Sequence, residues 1–220
     1  VSMFPGLWFG NGAGSTEAGT YAVVGWDEMS ERPYGCVGRP PLGQEVRIVS
    51  EQGAELSPEA MGEIVIRGGQ VSPGFWAQPQ RTQEVFREGW LKTGDLGWID
   101  QEGLLYLVDR KDDLIISGGE NVYAREIEEV LYGVSGVAEA AVVGIADPRW
   151  GEVPVAAVVA SSGASPVSEI KSVLEQKLAR YKHPHRIVLF DKLPKTAVGK
   201  IDKRELRAQF SHAATAEAKV

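Results

Sequence analysis

Between Tyr34 and Tyr106 apolar and polar residues alternate in short runs, as in QEVRIV (Gln44 to Val49) and GEIVIRG (Gly62 to Gly68), with Gly and Pro between them. A period of two, so punctuated, predicts short strands in a barrel or in small sheets. Upstream, from Val1 to about Glu31, glycine is frequent and helical periodicity is missing, which predicts strand and loop. The pattern changes after DRKDD, Asp109 to Asp113. AREIEEVLY places Ile127, Val130 and Leu131 on one helical face, and AAVVGI and VPVAAVVA follow as unbroken apolar runs of strand length. The next predicted helix is capped by Ser165, has Pro166 in its first turn, and buries Val167, Ile170, Val173, Leu174 and Leu178. RIVLF then reads as a strand. Asp202, with Glu205 three residues on, resembles a capping box for a last helix whose apolar face holds Leu206 and Phe210. The tail SHAATAEAKV, residues 211–220, is predicted to be disordered.

These patterns predict an α+β fold in two parts, a β-rich domain over residues 1–109 and a small α+β domain over 110–220. With 43% hydrophobic and 24% charged residues, the chain has the composition of a globular protein with a buried core. A net charge of -7 argues against a sequence-independent grip on nucleic acid, which needs a clustered basic face. One segment runs the other way: Lys195, Lys200, Lys203, Arg204 and Arg207 are offset only by Asp202 and Glu205. That suits a small anionic ligand better than a polymer. Cys36 is the single cysteine, so no internal disulfide can form and a reducing cytoplasm is the expected compartment. No apolar run approaches the roughly 18 residues of a membrane span. The chain opens on Val1, which is expected of a fragment of a longer protein.

The Gly199-Lys200 pair invites a phosphate-loop reading, but a Walker loop needs a glycine where Pro194 stands and a hydroxyl where Ile201 stands. Lys200 therefore lies on a loop before a helix, with another role or none. His183 and His185, separated by a proline, fall short of a metal ligand set and read as loop residues. The six tryptophans read as packing.

Five stretches in order resemble the AMP-forming adenylating enzymes, the superfamily of acyl-CoA synthetases, luciferases and peptide-synthetase adenylation domains. They are GSTE (Gly14 to Glu17), GEIVIRGGQVSPGFW (Gly62 to Trp76), GWLKTGDLGWID (Gly89 to Asp100), DRKDDLIISGGENVYAREIE (Asp109 to Glu128) and PKTAVGK (Pro194 to Lys200). The resemblance implies that the first domain is the β-rich, barrel-like end of a large α/β N-terminal domain. It implies that the second is a mobile C-terminal lid.

It also implies roles. An ionised carboxylate only accepts hydrogen bonds, which suits Asp95 to both ribose hydroxyls of ATP; without the resemblance, TGD reads as a turn. Thr16 is implied to contact a phosphate oxygen and Glu17 to bind Mg2+, where GSTE alone reads as a helix-start cap. Arg110 is implied to lie near the nucleotide and Asp112 to be the hinge, against a plain charged linker. Ser117, Gly118 and Gly119 are implied to line the pantetheine tunnel of coenzyme A; the competing reading is a plain turn between strand and helix. Lys200 is implied to bring its ammonium between the substrate carboxylate and the α-phosphate, and its bland alternative is a solvated lysine, which would also explain Lys203, Arg204 and Arg207. The family usually carries an aromatic residue beside the adenine where this chain has Ala13.

Together these imply a ligase that joins a small carboxylic acid to coenzyme A at the expense of ATP, through an acyl-adenylate. The upstream Ser/Thr/Gly-rich phosphate loop of the family is not among these residues, so the 220-residue chain alone is expected to be inactive. A non-catalytic binding remnant, a regulatory fragment and a peptide-synthetase-type adenylation domain remain as alternatives.

Overall fold

A computed structural model describes residues 9–161 and 167–217, with side chains as far as Ser211. The chain divides into two compact units, Val1–Lys111 and Asp112–Val220. The division falls two residues beyond position 109 because Arg110 still belongs to a strand of the first unit.

The first unit opens with a hairpin of β1 (Gly10–Ser15) and β2 (Gly19–Gly25), followed by the short helix α1 (Trp26–Ser30). Then come β3 (Cys36–Gly38), β4 (Gln44–Val49), β5 (Gly62–Gly68), helix α2 (Pro79–Val85), β6 (Phe86–Arg87), β7 (Trp90–Ile99) and β8 (Leu105–Arg110). The strands after α1 form one antiparallel sheet in the order β3-β8-β7-β5-β4, with β6 also paired to β7. The β-rich character is that of an open sheet, and no described pairing closes it into a barrel. Glu88 and Gly89, both at positive φ, make the two-residue turn between Arg87 and Trp90, the backbone that a tight hairpin requires. Tyr21, Ile48, Ile64, Ile66, Leu91 and Leu105 fill the core between the hairpin and the sheet.

The second unit begins with a one-turn 3-10 helix over Lys111–Asp113, whose first residue belongs to the first unit. It continues through β9 (Leu114–Ser117), β10 (Glu120–Tyr123), α3 (Ala124–Tyr132), β11 (Val137–Asp147), β12 (Gly151–Ala160), α4 (Val167–Lys177), β13 (Arg186–Phe190) and α5 (Lys203–Glu217). The sheet runs β10-β9-β12-β11, and β13 lies parallel to β12. The two apolar runs are β12, paired on both edges, and β11, paired only with β12; neither alternates, because both faces of each are covered. Ala140, Val142, Ala156 and Val158 face Ile127, Leu131, Ile170 and Leu174 of α3 and α4. Ala141, Val143, Val155 and Ala157 belong to the other layer, with Leu206 and Phe210 of α5.

Ser165 and Pro166 lie outside the described residues. The predicted disorder from residue 211 is replaced by helix as far as Glu217, where AATAE supplies strong helix formers; residues 218–220 lie outside the described chain. Asp202 caps α5 as expected, its Oδ1 accepting from the backbone N–H groups of Arg204 and Glu205 at 3.1 Å. The box is not reciprocal, because the Asp202 N–H donates to the Pro194 carbonyl at 2.8 Å.

Candidate functional site

GSTE forms the turn between β1 and β2, not a helix start. Ser15 Oγ accepts from the Ala18 N–H at 3.1 Å, closing the turn locally. Two contacts from other segments fix it: the Ser72 N–H donates to the Glu17 carbonyl at 2.7 Å, and Gln44 Nε2 donates to the Ala18 carbonyl at 3.0 Å. Thr16 is left exposed and Glu17 half-buried, the latter's carboxylate having no partner among the described residues. A rigid turn thus displays a hydroxyl and one carboxylate. Magnesium carried on nucleotide phosphates asks one or two carboxylates of a protein, and Glu17 fits that requirement. Among the described residues no group of three His, Cys, Asp or Glu could hold a metal by itself. His183 Nε2 lies 3.0 Å from the Leu178 carbonyl.

Thr-Gly-Asp is a bulge inside β7. The pairing with β5 passes from Lys92 opposite Val65 to Leu96 opposite Glu63, so that Thr93, Gly94 and Asp95 face Ile64 alone. Gly94 supplies the positive φ of 72°. Thr93 Oγ1 donates to the Ile64 carbonyl at 2.8 Å and accepts from the Asp95 N–H at 3.0 Å, which staples the extra residues in place. The bulge aims Asp95 at two donors: Tyr21 from β2, whose hydroxyl donates to Oδ2 at 2.9 Å, and Arg110, paired with Asp95 across β7 and β8, whose Nη1 is 3.1 Å from Oδ1. The Asp95 side chain is only 15% exposed. A carboxylate offers about four lone-pair positions, so it keeps acceptor capacity for further hydroxyls beside these two contacts.

No motif in the sequence singles out Tyr21. The available signal was its alternation in GTYAVVG, which turns it inward from β2. Ala13, one position before the GSTE motif, joins the core with Tyr21 and Ala22. It offers no aromatic face.

SGGE makes a hairpin turn between β9 and β10, with Ser117 opposite Glu120 and both central glycines at positive φ, 61° and 87°. The turn therefore joins two strands rather than a strand and a helix, and it has a further constraint. The Gly118 N–H donates to the Trp150 carbonyl at 2.8 Å, and a Cβ on Gly118 would stand 2.8 Å from the indole ring. Trp150 belongs to a second turn, where Asp147 Oδ1 accepts from the N–H groups of Arg149 (2.8 Å) and Trp150 (2.9 Å). Those donors, Trp150 first, hold the Asp147 carboxyl below the usual carboxylate range. Trp150, expected to serve in packing, is 41% exposed and stands against the glycine turn.

Lys200 closes a small hairpin. The Thr196 N–H donates to the Lys200 carbonyl at 2.7 Å, the Gly199 N–H donates to the Thr196 carbonyl at 2.9 Å, and Gly199 takes φ of 81°. This is a tight turn followed by a left-handed residue, which explains the glycine before the lysine without a phosphate loop. The Lys195 ammonium pairs with Glu139 at 2.7 Å and anchors the first stem. Lys200 is exposed, and its ammonium has no partner among the described residues.

The first unit thus gathers Asp95, Arg110 and Tyr21 beside the turn that carries Thr16 and Glu17. In the second unit Ser117, Gly118 and Gly119 sit on one hairpin and Lys200 on another.

The sequence profile of the AMP-binding enzyme family matches residues 3–76, and that of the AMP-binding enzyme C-terminal domain matches residues 126–200. A feruloyl-CoA synthase of Amycolatopsis sp is 42% identical over 206 residues, covering 93% of this chain and 42% of the relative. A 2-succinylbenzoate–CoA ligase of Bacillus cereus is 47% identical over 173 residues, covering 79% of this chain and 36% of the relative. The solved o-succinylbenzoate CoA synthetase of Bacillus subtilis, in complex with its acyl-adenylate intermediate, superposes with a TM-score of 0.84 at 37% identity, over 93% of this chain and 41% of that one. The chain spans about two fifths of the length of the relatives it matches.

Proposed function

Because this chain belongs to the AMP-forming adenylating enzymes, we propose that it is the C-terminal part of an acyl-CoA synthetase. Its overall reaction joins a carboxylic acid to coenzyme A, with ATP converted to AMP and diphosphate. The observation that carries this reading is Asp95, a shielded carboxylate aimed by a strand bulge, steadied by Tyr21 and Arg110, with acceptor capacity to spare. Asp95 takes the ribose hydroxyls, Arg110 lies beside the sugar and phosphates, and Thr16 donates to a phosphate oxygen. Glu17 would hold magnesium, which supplies positive charge to the phosphates.

A carboxylate is a poor acyl donor because oxide is its leaving group. One carboxylate oxygen therefore attacks the α-phosphorus, the bond to the α–β bridging oxygen breaks, and diphosphate departs. The thiol sulfur of coenzyme A then attacks the acyl carbon, its proton is lost to solvent, and AMP leaves with the carbon–oxygen bond electrons. Lys200 offsets the charge of the two anions in the first step. A donor so placed is worth about 3 to 4 kcal/mol. The second unit, from Asp112 onward, acts as the lid that brings Lys200 in for the first step, Asp112 as its hinge, and Ser117, Gly118 and Gly119 as the path for pantetheine in the second.

The names feruloyl-CoA synthase and 2-succinylbenzoate–CoA ligase favour an aromatic acid as substrate. The single cysteine, Cys36, is buried, and no helix of the described residues is long and apolar enough to cross a membrane; with the chemistry proposed, we assign the protein to the cytoplasm. The test is diphosphate release by the full-length protein across aromatic and aliphatic acids, repeated with Lys200→Ala. Release with at least one acid, and its loss in the variant while thioester forms from supplied acyl-adenylate, supports the reading. Undiminished acid-dependent release by Lys200→Ala removes the lysine from it.

A further inference from the structure

The residues on either side of Asp112 are held by different parts of the chain. Lys111, the last residue of the first unit, places Nζ 3.1 Å from Glu63 Oε2 on β5, a carboxylate only 10% exposed. Arg110 just before it is tied to Asp95. On the other side, Asp113 Oδ1 accepts from Arg207 Nη2 at 2.6 Å, and its Oδ2 lies 3.3 Å from Lys203 Nζ. Arg207 Nη2 also donates to the Asp112 carbonyl at 3.0 Å. Lys203 is in turn fixed by Glu128 at 2.8 Å, whose Oε1 accepts from the Val142 N–H at 2.7 Å. Lys203 and Arg207, which a solvated basic face would account for, are therefore engaged: both side chains are at most 30% exposed and bound to carboxylates.

A peptide group moves as a plane. Holding the Asp112 carbonyl and the Asp113 carboxylate together fixes the peptide between them to α5, and so to the second unit. Holding Lys111 through Glu63 fixes its Cα to the first. Between the two clamps only ψ of Lys111 and φ and ψ of Asp112 remain free to turn. The Asp112 carboxylate itself has no partner among the described residues.

We propose that Glu63 and Arg207 are positioning residues, a pair of clamps that confine the swing of the second unit to the three torsions from ψ of Lys111 to ψ of Asp112. This rests on the two-step reading above and adds to it the parts that make the hinge sharp. Neither residue touches substrate in this account. A swing confined to so few torsions has few rest positions, so Lys200 returns to the same place each turnover; loosening either clamp spreads the positions without abolishing them.

The test uses the full-length protein with spin labels at Gln101→Cys and Ser172→Cys, exposed positions on the two units. Interlabel distances are measured with ATP and magnesium, then with AMP and coenzyme A. The unaltered hinge is expected to give two narrow distributions that exchange with ligand. Arg207→Ala and Glu63→Gln each widen them about twofold, and Arg207→Lys, which keeps a cation for Asp113, restores most of the sharpness. In the same variants kcat of both half-reactions falls about fivefold with KM for ATP unchanged, because each productive orientation is populated less. Variants that melt like the parent yet keep narrow distributions overturn the clamps while leaving the two-step reading intact. A single distance in every ligand state for the parent overturns the swing itself, and the clamps with it.

Discussion

The hydroxyl of Tyr21 on β2 donates to Oδ2 of Asp95 on β7 at 2.9 Å, across 74 residues of sequence. This bond ties the hairpin that displays Thr16 and Glu17 to the bulge that displays Asp95, so the proposed sugar and phosphate contacts share one rigid frame. Hydrogen bonds to a charged group are worth about 1.5 to 3 kcal/mol. Tyr21→Phe keeps the ring in the core and removes only the donor. It should raise KM for ATP about three- to tenfold, with a small drop in melting temperature and little change in kcat. A fall in kcat alone, with KM unmoved, would detach Tyr21 from nucleotide binding.

Gly118 and Gly119 should differ in their tolerance of a methyl group. At Gly119 nothing lies within 4 Å of a built Cβ, so alanine meets only the left-handed backbone, at about 1 to 2 kcal/mol. Alanine at Gly118 meets that penalty and the Trp150 ring, adding about 1 to 3 kcal/mol of overpacking. Thermal unfolding of the two variants, and of Gly118→Ala combined with Trp150→Ala, separates the terms. Equal destabilisation at both glycines would mean that the indole gives way freely.

Asp147 sets an acid limit on the turn that holds Trp150. Its folded-state carboxyl lies below its ordinary value because it accepts from the Trp150 and Arg149 N–H groups. A depressed carboxyl stabilises the fold at pH above the unfolded value of about 4, and that contribution is lost as pH falls through the folded value. Asp147→Asn keeps the shape and removes the charge. Parent and variant should therefore differ in melting temperature by a constant amount near neutrality and converge below about pH 4. A gap that persists unchanged into strong acid would show that the charge is not what matters.

Proline at Asp112 retains the carbonyl that Arg207 holds but locks φ near −65°. In the full-length protein, Asp112→Pro should impair one half-reaction at least about tenfold more than the other, since it favours one rest position of the lid. Diphosphate release and thioester formation from supplied acyl-adenylate, measured separately, provide the comparison. Equal loss in both assays would speak against a hinge at this residue.

What the sequence made legible was local. The unbroken apolar runs of β11 and β12 announce strands covered on both faces, and Leu206 and Phe210 announce the buried side of α5. Asp95 stood out only through the resemblance, since Thr-Gly-Asp by itself reads as a turn and its bulge is defined by the pairing with β5. The helical tail was missed because an alanine-rich segment without an apolar stripe has helix propensity but no periodicity to reveal it. Tyr21, Trp150 and Asp113 were missed for another reason. Each acquires its part in the site through a neighbour distant in sequence, as Arg207 reaches Asp113 over 94 residues, and no local pattern encodes such a meeting. Lys203 and Arg207 looked solvated because charge alone does not reveal its counter-ion.

The alanines at 140, 141, 156 and 157 make the second unit's sheet a thin wall, with α3 and α4 resting on one side and α5 on the other. Enlarging Ala157 would crowd the layer that seats Leu206 and Phe210 and would tilt the helix that follows Lys200. The reach of that lysine is thus set in part by methyl groups in the middle of the sheet, so natural variation there should come in compensating pairs, a bulkier wall matched by a slimmer helix.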